Sequence, residues 1–200
     1  MNIYLWLAFA CLGGGIKYID DVFDEGIHNK KVAYPLAFFL VALWILLCIL
    51  DPYVATILTA IFLSVLITGK LDTKLGILVA VVLLSSLWFY AKNVLLVPLI
   101  FLTIMGTIDE VGNNYVDKHK VNSIINFIFE HRCMMKFGII LLYIQSILPV
   151  TYLIAFFSFD IAYDLVGLWG KYKKHVQAIG EDIRIITKPK HAGIAIHAHE

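Results

Sequence analysis

Long apolar runs separated by short polar turns organise this chain. The runs cover 3–16, 32–50, 53–68, 75–90, 94–108 and 137–157. Several are nearer 15 than the roughly 20 residues that cross a hydrocarbon core. They are apolar on every side, unlike the single apolar stripe of a helix in a soluble bundle. Away from water a backbone must satisfy its own hydrogen bonds, so each run is expected to be a helix that continues into its polar flanks. The expected fold class is all-α: a polytopic transmembrane helical bundle of six or seven spans around a central cavity.

The stretch 137–169 leaves the span count open. It is apolar throughout except at Pro149, Asp160 and Asp164. It reads either as one span followed by an interfacial segment, or as a hairpin of two short helices hinged at Pro149. The basic residues that follow, Lys171, Lys173 and Lys174, fall on the same side as the other basic loops only in the hairpin version, which this favours. Residues 1–175 are thus expected to form the membrane domain and 176–200 a soluble or disordered tail. The first run lacks a basic start and contains Gly13-Gly14-Gly15, so it reads as a close-packing span and not as a cleaved leader.

Composition agrees. Apolar residues make up 60% of the 200 positions and charged residues 16%, with a mean hydropathy of +0.84. A chain of this size has too little interior to shelter so much apolar surface from water. That excludes an ordinary soluble enzyme, a disordered protein and a disulfide scaffold. Cys11 and Cys48 lie inside apolar runs and Cys133 beside Arg132, with no ligand spacing. Basic residues form short clusters and no stripe that would follow a phosphate backbone, so no nucleic-acid partner is expected. If spans alternate, Lys17, Lys30, Lys31, Lys70, Lys74, Lys118, Lys120, Arg132 and Lys136 all fall on one face, against Lys92 on the other. The positive-inside bias makes the first face cytoplasmic, with the N-terminus outside and the plasma membrane as the expected location.

The acids are the informative minority. Asp20, Asp21, Asp24 and His28 follow the first run; Asp109, Glu110, Asn113 and Asp117 follow the fifth. Both sets sit at relative offsets 0, 1, 4 and 8, which on a helix of about 100° per residue fall within one face. Acids crowded in this way at one membrane boundary repel unless a cation neutralises them. Oxygen ligands from two helices suit Mg²⁺, which is commonly completed by substrate phosphates.

Asp20-Asp21-x-x-Asp24-x-x-x-His28, with Asn29-Lys30-Lys31 and Tyr34-Pro35 after it, resembles the N-D-x-x-D-x-x-x-D motif of the UbiA-type intramembrane prenyltransferases. The second cluster, four spans later, resembles the second aspartate-rich motif of that family. The resemblance covers roughly residues 10–145, in a chain shorter than the family's bundle and with Asp20 and His28 in place of Asn and Asp. It implies transfer of an isoprenoid from its diphosphate to an aromatic or lipid acceptor within a lipid-open cavity. It also implies Mg²⁺ held by Asp20, Asp21 and Asp24 on one side and Asp109, Glu110 and Asp117 on the other. Of these, Asp21, Asp24, Asp109 and Asp117 would be catalytic, with Lys30, Lys31, Lys118 and Arg132 on the diphosphate. Trp6, Phe9, Trp44, Trp88 and Phe89 are the rings that would face a carbocation.

Other readings stand beside this one. A non-enzymatic isoprenoid-lipid-binding protein or a cation transporter fits the same composition, but a cation path calls for acids in mid-membrane, and here they sit at span ends. A second copy of the chain, in a homo-oligomer, is one candidate source of the helices that the family's bundle has and this chain lacks. Asp160-x-x-x-Asp164 is either a third ligand pair or the polar face of an interfacial helix. Glu130-His131-Arg132, on the amphipathic stretch 121–136, would either cap the site or rest on lipid headgroups. His191, His197 and His199 read as part of an unstructured tail.

Overall fold

A computed structural model describes residues 2–27, 29–70 and 73–187, apart from the side chains of Asn2, Asp24, Glu25 and residues 180–187. Eight α-helices and no strand occur among the described residues: α1 Asn2–Asp20, α2 Lys30–Leu50, α3 Pro52–Ile67, α4 Lys74–Tyr90, α5 Leu96–Lys118, α6 Ser123–Glu130, α7 Cys133–Ile144 and α8 Val150–Thr187. This is the all-α class expected from the apolar runs. Five of the helical stretches are long and apolar enough to cross a membrane: Ile3–Phe23, Lys30–Leu50, Lys74–Asn93, Leu96–Lys118 and Val150–Ile179. The shorter apolar helices α3 and α7 pack among them.

At 16 residues α3 is only about 24 Å long, short for a hydrocarbon core. Its surroundings explain this, for the backbone from Val54 through Ala60 is buried without a break. It is the central post of the bundle, enclosed by protein. Helix ends lean on neighbouring elements. Asp51 caps α3, accepting from Tyr53 N at 2.8 Å and Val54 N at 3.1 Å, and also accepts from Tyr152 Oη of α8 at 2.6 Å. Leu95 has no capping side chain of its own, and its N–H donates to Thr56 Oγ1 of α3 at 2.9 Å.

The path of 137–169 is settled as a hairpin. α7 ends at Ile144, the chain turns through Ser146 (φ 59°), and α8 starts at Val150 directly after Pro149. The second arm is not short. α8 runs 38 residues, about 57 Å, and continues without interruption past position 175 to Thr187. Residues 188–200, including His191, His197 and His199, lie outside the described residues.

α8 runs parallel to α1, an arrangement between the first and last helices that no local pattern announces. Trp6 Nε1 donates to Thr151 O at 3.1 Å, Gly13 meets the Phe159 backbone, Gly14 faces Ala162 and Val166, and Gly170 sits against Asp21. At Gly13 the helix backbones touch, and any Cβ would collide with the Phe159 carbonyl. Small residues at membrane helix interfaces allow this approach, because dispersion and not water exclusion drives the contact. The parallel pairing brings the C-terminal end of α1 beside the middle of α8. Together with the ends of α3 and α5 and the start of α7, these segments form one charged end of the bundle.

Candidate functional site at the charged end of the bundle

At this end the acids and bases alternate. On α1, Lys17 reaches Asp20 Oδ2 at 3.1 Å and Asp21 Oδ1 at 2.9 Å, pairs set by the i,i+3 and i,i+4 spacing. The helix then widens into a π-turn over Asp21–Glu25 and stops at Gly26, whose φ of 68° suits glycine. The first cluster therefore does not continue along one regular α-helical face. The side chain of Asp24 and the whole of His28 lie outside the described residues.

On α5 the helix is unbroken, and Asp109 and Glu110 both turn into the protein, 1% and 4% exposed. Asp109 has a specific task. Arg132, which precedes α7, has a left-handed backbone (φ 49°) and no capping hydrogen bond. Asp109 fills that gap, accepting from Met134 N at 2.9 Å through Oδ1 and Met135 N at 2.7 Å through Oδ2. A carboxylate at a helix N-terminus satisfies orphan N–H groups and meets the positive end of the dipole. Glu110 is clasped by two cations, with Lys70 on one oxygen and Arg132 on the other at 3.2 Å.

Tyr163 of α8 joins the two sides. Arg132 Nη2 donates to its hydroxyl at 3.4 Å, the guanidinium lies 4.7 Å from the ring centre, and Lys17 Nζ lies 5.5 Å from it. Burial opposes the charge on Arg132, but Tyr163, Glu110 and Asp20 outweigh it and raise the pKa above the ordinary range. Beside this group Lys136 pairs with Asp160 at 2.8 Å, and His131 lies 3.8 Å from Asp164. Asp160 thus meets a lysine from the start of α7, and Asp164 faces the His131 ring from the turn before it. Gly112 gives room to the Phe129 ring, which packs α6 onto α5 and sets the approach to Arg132.

A cavity of about 230 Å³ opens on this end, between α1, α2, α3 and α4. Its walls are apolar, including Ile16, Leu40, Trp44, Phe62, Val65 and Val79, and its polar lining is Asp20, Lys70 and Thr73. Of the rings expected to face a chamber, Trp44 lines this cavity. Phe9 is in the solid core, and Trp6 bonds to Thr151 at the far end. Trp88 and Phe89 point outward, 90% and 68% exposed.

The remaining expected contacts are placed elsewhere. Lys30 and Lys31 are exposed at the start of α2, and Asp117 and Lys118 are exposed at the end of α5. Asp117 is therefore not gathered with Asp109 and Glu110. Among the described residues no three His, Cys, Asp or Glu side chains are grouped to hold one metal ion. Of the acids expected to bind Mg²⁺, Asp20, Asp21, Asp109 and Glu110 are engaged by lysine, arginine or backbone N–H groups. Lys17 and Lys70, which sequence reasoning left out of the site, provide much of this neutralisation, and Lys136 and Tyr163, also left out, engage Asp160 and Arg132. The signal that would have found Lys17 is its i,i+3 and i,i+4 spacing to Asp20 and Asp21.

In comparisons with known proteins, no family model, no curated protein and no solved structure matches this chain.

Proposed function

We propose that this chain is an integral membrane protein of seven spans that accommodates the apolar chain of an isoprenoid or acyl amphiphile between α1 and α4. The carrying observation is the cavity, whose apolar walls end at one charged mouth formed by Asp20, Lys70 and Thr73. Pockets for drug-sized ligands begin near 300 Å³, so this half-open one suits part of a single chain, the remainder lying in surrounding lipid. The large exposed residues of the outer helices, such as Phe38, Leu78 and Trp88, supply the lipid-facing surface such a protein needs. The charged end faces the cytoplasm of the plasma membrane by the positive-inside bias.

Photo-crosslinking tests this reading. A farnesyl or acyl chain carrying a diazirine, added to purified protein in nanodiscs, is expected to label peptides around Trp44 and Val79. Labelling confined to outward residues such as Phe38 and Trp88 would reject it.

Prenyl transfer is the stronger form of the same reading, and one observation favours it: Asp20, from the first acidic cluster, lies at the cavity mouth. An isoprenoid diphosphate would place its chain against Trp44, with its diphosphate near Lys70. The experiment is incubation with Mg²⁺ and labelled farnesyl or geranylgeranyl diphosphate. Diphosphate release that disappears in Asp20→Ala supports transfer; chain binding without release leaves a lipid-binding protein.

A further inference from the structure

The charges at the cavity mouth are unevenly paired. On the α1 side one cation, Lys17, serves two carboxylates, Asp20 and Asp21. The second Asp21 oxygen is buried with no hydrogen-bond partner among the described residues. On the other side one carboxylate, Glu110, serves two cations, Lys70 and Arg132. Among the described side chains the two groups adjoin, for Asp20 also acts on Arg132, and three cations face three carboxylates. The members that line the cavity are Asp20 from the first group and Lys70 from the second. Asp20 is also the more accessible of its pair, its side chain 43% exposed against 3% for Asp21.

Resting on the amphiphile reading above, we infer that the cavity selects a zwitterionic amphiphile, with its ammonium directed to Asp20 and its phosphate or carboxylate to Lys70. Charge complementarity decides the class. A headgroup with negative charge alone answers Lys70 and leaves Asp20 without a partner from the ligand. A neutral one answers neither charge. A headgroup carrying both signs answers each, in a half-apolar site where pairs are screened less than in water. Thr73 adds polarity on the Lys70 side. Its Oγ1 accepts from Gly76 N at 3.0 Å, which leaves the hydroxyl proton to donate to the anionic part. Arg132 remains on Glu110 when Lys70 turns to a ligand.

Trp44, in the cavity wall, provides the readout. Protein in nanodiscs is titrated with brominated phosphatidylethanolamine, phosphatidylcholine, phosphatidylglycerol and diacylglycerol of one chain length, and with farnesyl diphosphate as competitor. The Trp44 signal is the quenching lost in Trp44→Phe. We expect the two zwitterionic lipids to quench it at mole fractions about tenfold below the others, a difference of about 1.4 kcal/mol. Asp20→Asn and Lys70→Gln should each remove most of that preference while leaving quenching by diacylglycerol in place. Equal or stronger binding of phosphatidylglycerol, or displacement by farnesyl diphosphate at lower concentration, overturns the zwitterion while keeping the cavity. Absence of Trp44 quenching by every lipid overturns the cavity reading itself. The lipid series on the unaltered protein gives the answer even if a variant fails to fold.

Discussion

The carboxylate of Asp109 accepts the Met135 N–H at 2.7 Å across two helices, and so closes a helix end that its own preceding residue leaves open. An acid that reads in the sequence as a metal ligand is here the fastening between α5 and α7. Asp109→Ala should cost about 1–3 kcal/mol, the usual consequence of leaving buried N–H groups unmet. Asp109→Asn, which keeps one acceptor, should cost less. Thermal unfolding in detergent, followed by circular dichroism, ranks the two; equal stability of Asp109→Ala and the parent would dismiss the fastening role.

Glu110 should behave as the shared anion of two cations. Glu110→Gln leaves Lys70 and Arg132 facing one another without a countercharge, and breaking a buried pair in this way typically costs about 3–5 kcal/mol. Adding Lys70→Met to Glu110→Gln should recover part of that loss. A double-mutant cycle reads the recovery as a coupling energy, and strict additivity would show the pair to be energetically independent.

The α1–α8 contact predicts a steep difference between adjacent glycines. A Cβ at Gly13 collides with the Phe159 carbonyl, a backbone atom that cannot move alone, whereas one at Gly14 comes 3.3 Å from a Val166 methyl. Gly13→Ala should therefore destabilise by about 1–3 kcal/mol, as overpacking does, and Gly14→Ala by clearly less. Comparison of their unfolding midpoints in one detergent checks the order.

The seven spans proposed here would place the two ends of the chain on opposite sides of the membrane. Reporter fusions should find the N-terminus outside and a fusion after Lys174 in the cytoplasm. Both ends on one side would remove either α3 or α7 from the set of spans.

Filling the cavity should separate binding from folding. Val79→Phe places a ring into the space beside Trp44 and is expected to reduce amphiphile quenching of Trp44 at least several-fold, with little change in unfolding midpoint. A large loss of stability together with unaltered quenching would mean that the space is not where the chain lies.

The helical architecture was legible in the sequence because every long run is apolar on all sides, a pattern with one backbone solution away from water. The hairpin after Tyr143 was legible as one of two alternatives, through Pro149. That acids and bases gather at a single end followed from the alternation of spans, whereas the pairing of Lys17 with Asp20 and Asp21 was not read, although its spacing is helical. The tertiary structure alone decided what those charges do. Whether Asp109 meets a metal or a helix end depends on where α7 begins relative to α5. Whether Asp160 meets Lys136, or Glu110 meets Lys70 and Arg132, depends on contacts between residues far apart in the chain. The parallel seating of α8 on α1, through Gly13 and Phe159, brings Tyr163 between the two acidic groups, and spacing along one helix carries no information about which other helix lies beside it.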